Sequence, residues 1–191
     1  MPETVLGLFR HGQTDWNINL RLQGTADIPL NQSGVEQVEQ AAARIGQWDV
    51  LLTSPLSRAR HSAEILSKAI GTQAVVSERL LERSFGIGEG MTYEQWHQRY
   101  SKLDSIPGAE SELSVLSRSQ KLLDETVEAF EGKRVLMVTH GALIRFVLNL
   151  VTENQLPPKG ERLMNASLHT FRHSDSWNVD RWSPQALGLD E

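Results

Sequence analysis

Val5-Leu6-Gly7-Leu8-Phe9 is a continuous apolar run that breaks off at Arg10-His11-Gly12. Such a run, with no polar alternation, predicts a strand buried on both faces, the kind found inside a parallel sheet. The pattern returns twice. Val50-Leu51-Leu52-Thr53 stops at Ser54-Pro55, and Val135-Leu136-Met137-Val138-Thr139 stops at His140-Gly141. Ala74-Val75-Val76 is a weaker instance. Between these runs the apolar period lengthens to that of a helix. Val35, Val38, Ala42 and Ile45 mark a helix over 33–45, and Leu56, Ala59, Ala63, Leu66 and Ile70 one over 56–70. Leu116, Leu123, Val127 and Phe130 mark a third over 113–130, and the nearly all-apolar segment 141–151 predicts a buried fourth. Segments 166–172 and 177–182 flank Asp175-Ser176 and predict a closing hairpin or edge pair. Strands alternating with helices predict an α/β fold around a mostly parallel sheet.

The chain has 191 residues, which suits one domain over 1–191. Residues 91–110 are the least regular part, with Tyr93, Trp96, His97, Tyr100 and Pro107-Gly108, and read as a small insertion over one face. Lys+Arg 19 against Asp+Glu 24 leaves a net charge of −5, the wrong sign for a general nucleic-acid binder. Hydrophobic residues at 39% supply a core and exclude a disordered class. Cysteine is absent, which removes disulfides, thiolate zinc sites and a cysteine nucleophile. No apolar stretch approaches the ~18 residues of a membrane span. Met1-Pro2-Glu3-Thr4-Val5 shows no basic segment leading into an apolar one, so a cytoplasmic protein is expected.

In open parallel sheets, ligands sit beyond the carboxyl ends of the strands. There the first strand delivers Arg10 and His11, the third delivers His140, and Ser54-Pro55-Leu56-Ser57-Arg58 puts Arg58 in the first turn of the helix after the second. Four such groups at one edge of an acidic protein call for an anion. A unit pair about 4 Å apart at an effective dielectric near 20 interacts by about 4 kcal/mol. Guanidinium forks match a tetrahedral oxyanion with two bonds at once. The free N–H groups of a helix opened by Gly141 favour the same charge. A phosphate group is the ligand these residues imply. Each residue alone reads more simply as structural; their convergence is what counts.

Leu8-Phe9-Arg10-His11-Gly12-Gln13-Thr14-Asp15-Trp16-Asn17 closely resembles the signature of the histidine phosphatase superfamily, the phosphoglycerate mutase-like family. Leu22-Gln23-Gly24, Asp27, Pro29-Leu30 and Gly34 fall where that family's next block lies. Thr53-Ser54-Pro55-Leu56-Ser57-Arg58-Ala59 resembles its second arginine motif, and Leu81-Glu82-Arg83-Ser84-Phe85-Gly86 its acidic motif. Pro107-Gly108-Ala109-Glu110-Ser111 is similar to its substrate-loop block, and Val138-Thr139-His140-Gly141 to its second histidine motif. The ordered set, over roughly 5–170, is far more specific than any one triplet.

The resemblance implies a three-layer phosphoglycerate mutase-like fold with helices on both faces of a mostly parallel mixed sheet. It makes His11 the nucleophile that forms a phosphohistidine, with its other ring nitrogen held by a backbone carbonyl. Arg10, Arg58 and His140 would hold the phosphoryl oxygens, and Glu82 would act as general acid and then base. Asn17, Gln23, Gly24 and Gly141 would complete the phosphate site. The implied activity is a phosphomonoesterase for a small phosphorylated metabolite, with no cofactor and no metal. A phosphoglycerate mutase is the alternative. Mutases of the family carry a longer insertion with a lysine and an adjacent arginine pair, whereas 91–110 offers only Arg99 and Lys102. A non-catalytic phospholigand-binding protein is a third possibility, disfavoured because His11, both arginines, His140 and Glu82 are all present. No nucleic acid or membrane partner is expected, and a homodimer stays open. His169 and His173 fall in a strand, where that spacing separates them by about 13 Å, so they are not a metal pair. His61 and His97 read as surface residues, and 86–90 as a glycine-rich turn rather than a dinucleotide fingerprint.

Overall fold

A computed structural model describes residues 2–188. Its strands are β1 (Thr4–Arg10), β2 (Val50–Thr53), β3 (Ala74–Val76), β4 (Arg134–Thr139), β5 (Leu168–His173) and β6 (Trp177–Arg181). Its helices are α1 (Asp15–Ile18), α2 (Gln32–Ala42), α3 (Ser57–Ile70), α4 (Tyr93–Arg99), α5 (Glu112–Ala129) and α6 (Gly141–Val151). The strands form one sheet in the order β3-β2-β4-β1-β5-β6. The first four run parallel, and β5 and β6 are antiparallel to their neighbours. This is the mixed, mostly parallel α/β arrangement expected from the sequence.

The unalternated strands are explained by two cores. On β1, Val5 and Phe9 pack with Val38 and Ala41 of α2 and Ala59, Ala63 and Leu66 of α3. Leu6 and Leu8 point the other way, onto Leu122 and Leu123 of α5 and Leu143, Ile144, Val147 and Leu148 of α6. A strand covered on both faces has no position left for a polar residue. Truncating one such leucine to alanine costs about 2–5 kcal/mol. The short β3 departs from the pattern. It is an edge strand, and Val75 and Val76 are exposed.

The insertion holds α4 and a 3-10 turn at Leu103–Ser105. Trp96 and Ile106 pack with Leu22 and Phe85 in a third, smaller apolar cluster, partly joined by Tyr100 and Leu103. It therefore lies against the loops at the carboxyl end of the sheet. The parallel register sets Arg10 beside Thr139 and Thr53 beside Val138, so three strand ends open on one edge. Among the described residues, no helix is long and apolar enough to cross a membrane.

Candidate active site

His11 follows directly on β1 and is buried. Its Nδ1 lies 2.7 Å from the Gly12 carbonyl oxygen, which makes Nδ1 the protonated nitrogen and leaves Nε2 with the lone pair. Burial, then Arg58 and Arg10, holds its pKa well below the usual histidine value, so the ring is neutral at pH 7. The turn that positions it depends on bare backbone. A Cβ on Gly12 would collide with the Gly34 carbonyl, and the Gly12 N–H donates to Ser62 Oγ at 3.1 Å.

Around His11 stand the groups named from the sequence. The His140 ring lies 5.1 Å away, centre to centre. His140 is fully buried behind the cavity wall, its Nε2 2.7 Å from Ser54 Oγ and its Nδ1 without a protein partner. Its pKa is also pushed well down, by burial, then Arg58, His11 and Arg10. Arg58 is fully buried and donates to the carbonyls of Ala26 and Gly24, each at 2.7 Å, with Nε unpartnered. Arg10 donates to the Leu163 carbonyl, and its buried Nε is unpartnered too. Burial brings the pKa of Arg10 down to about 10, leaving it cationic at neutral pH. Asn17 is oriented by a capping box. Its Oδ1 accepts from the Thr14 N–H at 2.9 Å, leaving its amide hydrogens for other partners.

Arg10, His11, Asn17, Gln23, Gly24, Arg58, Glu82 and Gly141 all line one cavity of about 440 Å³. Tyr93 and Trp96 of the insertion line it as well, while Arg99 and Lys102 do not. His61 and His97 are exposed.

One expectation needs correcting. The N-terminus of α6 was expected to offer its free amides to the phosphate. Two of them are taken instead by Glu82, whose carboxylate accepts from Ala142 at 3.1 Å and Leu143 at 3.3 Å. The acidic motif reaches that helix end first, and a carboxylate is favoured there by the helix dipole. Glu82 is thus no loose surface side chain; its own neighbour's amide, Arg83 N–H, also donates to it at 2.9 Å.

Several supporting residues carry no local signal. Asn165 Nδ2 donates to the carbonyls of His11 at 3.0 Å and Gly12 at 3.2 Å and to Asn17 Oδ1 at 3.1 Å. Glu89, in the glycine-rich turn, accepts from the amides of Thr25 and Ala26, each at 2.9 Å. It thereby fixes the loop whose carbonyls hold Arg58. Gly24 has φ +56°, and a Cβ there would strike Glu89, so the loop needs glycine at that point. Only Ser54 had any signal, its place in the Ser-Pro stop after β2.

A neutral imidazole with a free ring nitrogen, two cationic guanidiniums with unused donors and an adjacent carboxylate can bind a tetrahedral oxyanion and transfer its central atom. Known proteins place the chain in a family. Residues 6–184 match the family described as the histidine phosphatase superfamily, branch 1. The chain is 34% identical to the uncharacterized phosphatase PhoE of Bacillus subtilis over 180 residues, spanning 92% of each. It is 31% identical to the probable phosphoglycerate mutase GpmB of Escherichia fergusonii, over 95% of this chain and 91% of the relative. Among solved structures it resembles a mycobacterial glucosyl-3-phosphoglycerate phosphatase, with TM-score 0.82, 28% identity and coverage of 94% and 98%. A phosphoserine phosphatase of Entamoeba histolytica, in complex with phosphoserine, gives TM-score 0.81 at 27% identity over 93% and 95%. By the family match over most of its length and the likeness in sequence and fold, the chain belongs to branch 1 of the histidine phosphatase superfamily.

Proposed function

We propose that the protein is a phosphomonoesterase that cleaves a small phosphorylated metabolite through a phosphohistidine on His11. The observation that carries this reading is the set of buried, unpartnered donors around a neutral His11. Among the described residues, Nε of Arg10 and Nε of Arg58 are buried with no acceptor. Buried polar groups without partners are rare and costly, and a phosphoryl group supplies the acceptors these guanidiniums lack.

The steps follow from the residues. The Nε2 lone pair of His11 attacks phosphorus in line while the ester P–O bond breaks. Glu82, entering this step in its acid form, gives its proton to the departing oxygen. Arg10 and Arg58 hold the equatorial oxygens as charge builds on them. Water then attacks the phosphohistidine, Glu82 takes its proton, and inorganic phosphate leaves. No step calls for a metal or an organic cofactor.

Similarity to the probable mutase supports a second reading, in which the phosphoryl group returns to another hydroxyl. Hydrolysis is preferred because Arg99 and Lys102, the cations of 91–110, do not line the cavity. The test is phosphate release against isomerisation of 3-phosphoglycerate in one assay, with His11→Ala as control. Hydrolysis is expected to dominate and to vanish in His11→Ala. Dominant isomerisation would overturn the hydrolytic reading, and wild-type turnover in the variant would overturn the nucleophile.

A further inference from the structure

The net charge of the chain is −5, yet the cavity wall is strongly basic. It carries Arg10, Arg21, Arg58, Arg83, Arg145 and Arg162 against Glu82 and Glu112. Four of these arginines have evident employment. Arg10 and Arg58 flank His11. Arg83 is paired with Asp104 and donates to the Glu110 carbonyl at 2.9 Å, while Arg21 donates to the Gly90 carbonyl at 2.6 Å.

Arg145 and Arg162 remain. Arg145 donates one hydrogen bond, to the Glu161 carbonyl oxygen at 2.5 Å, and burial lowers its pKa, with Tyr93 and Glu161 opposing. Arg162 is exposed and close enough to Arg10 to depress its pKa. Among the described residues, neither forms an ion pair with a carboxylate. Both also line an adjoining recess of about 440 Å³, together with Leu20, Tyr93 and Glu161. Two guanidiniums with spare donors thus stand where the cavity meets that recess.

Their place relative to the phosphate end is set by α6. Arg145 lies four residues after Gly141, on the same face of the helix. Gly141 abuts Arg10, since a Cβ on it would lie 3.3 Å from Arg10 Nε. One helical turn, about 5 Å, therefore separates the two positions along the wall, a distance bridged by about two or three carbons. Leu163, whose carbonyl holds Arg10, directly follows Arg162 in the chain. Arg145 is thus linked to Arg10 through α6, and Arg162 through its chain neighbour Leu163.

We infer that the substrate of this site carries a second anionic group, a carboxylate or a second phosphate, held by Arg145 and Arg162 while its phosphoryl group lies between Arg10 and Arg58. The inference rests on the phosphatase reading for the inner half of the site and adds the outer half. It places the second anion on α6 and the loop before β5, not on the insertion.

Calorimetry on the His11→Ala protein tests the subsite without turnover. Its probes are 3-phosphoglycerate, 1,3-propanediol bisphosphate and glycerol 3-phosphate. At least one doubly anionic probe is expected to bind tenfold or more tighter than glycerol 3-phosphate. That margin should disappear in the added double substitution Arg145→Gln/Arg162→Gln; whichever probe shows the margin identifies carboxylate or phosphate. Arg162→Gln alone, at an exposed side chain without hydrogen bonds among the described residues, should shrink it with the fold intact. In turnover, the double variant in the His11 background should raise KM tenfold or more for the preferred probe and by a much smaller factor for p-nitrophenyl phosphate. Equal binding of all three probes, or an equal loss for all in the double variant, would overturn the second-anion subsite. Absence of His11-dependent turnover of p-nitrophenyl phosphate would instead overturn the phosphatase reading, and the calorimetry would still decide the subsite.

Discussion

The carboxylate of Glu82 accepts the amide N–H of Ala142 at 3.1 Å, which fixes the acidic motif to the first turn of α6. That turn follows His140 and begins at Gly141, against Arg10, so the proposed acid is held by the element that also borders the phosphate pocket. Glu82→Gln keeps the shape and removes the transferable proton. The expected loss is about 10²-fold or more in kcat/KM for an alkyl phosphate, whose leaving oxygen needs protonation. With p-nitrophenyl phosphate, a good leaving group, the loss should be much smaller. Equal losses on both substrates would remove Glu82 from the acid role.

Two arginines hold the backbone on either side of Glu82. Arg118 grips Glu110 through both its oxygens, at 2.8 and 3.0 Å, and donates to the Leu81 carbonyl at 2.9 Å. Arg83 is pinned by Asp104 and the Glu110 carbonyl. Arg118→Gln should therefore misplace Glu82 without touching substrate. A drop of about tenfold for alkyl phosphates, with aryl phosphates nearly unchanged, is expected from displacing a catalytic group by a fraction of an ångström. The steepness of rate against leaving-group pKa is the readout, because a merely less stable protein would not change it.

Asn165→Asp is nearly isosteric but replaces a donor shared by the oxygens of His11, Gly12 and Asn17 with an acceptor. Losing that donor and setting a carboxylate against the same oxygens costs about 1–3 kcal/mol. Thermal denaturation should show Tm lower by roughly 2–12 °C. Turnover of p-nitrophenyl phosphate should fall as well, because the His11 turn loses its anchor. A variant with wild-type Tm and kcat would contradict the role assigned to Asn165.

His169 is buried on β5, and burial, then Arg10 and Arg181, brings its pKa down to about 4. Between pH 6.5 and about 4 the unfolded chain binds a proton there that the folded chain does not, so stability falls as pH falls through this window. His11 and His140 act in the same direction. Urea denaturation at pH 7.5 and pH 5.0 should show a lower unfolding free energy at the acid value. His169→Gln should lose less over the same interval, by about 2 kcal/mol. Identical losses in both proteins would show that His169 titrates normally.

Much of this was legible in linear order. Buried parallel strands are unalternated because helices cover both faces, so Val5 to Phe9 and Val135 to Thr139 announce themselves. Helix 141–151 was expected at the bounds it has, because its apolar composition is continuous and Gly141 punctuates its start. Other bounds shifted by a few residues. The helix expected over 33–45 is α2 (Gln32–Ala42), started by Asn31, whose side chain accepts from the Gly34 amide at 2.8 Å. The groups that brace the site were not legible. Asn165, Glu89 and Ser62 are ordinary polar residues in their own neighbourhoods, and their partners lie tens to more than a hundred positions away.

The sequence by itself determined the layering of the sheet and the chemical kinds gathered at its carboxyl edge, since apolar period and strand-end residues are local properties. Only the tertiary structure decided how those kinds are used. It gave the amides of α6 to Glu82, seated His140 behind the cavity wall on Ser54, and left Arg145 and Arg162 outside any ion pair among the described residues. Such outcomes depend on which of several eligible partners arrives within about 3 Å, and hydrogen bonds and ion pairs fall off too steeply with distance for sequence spacing to resolve that competition.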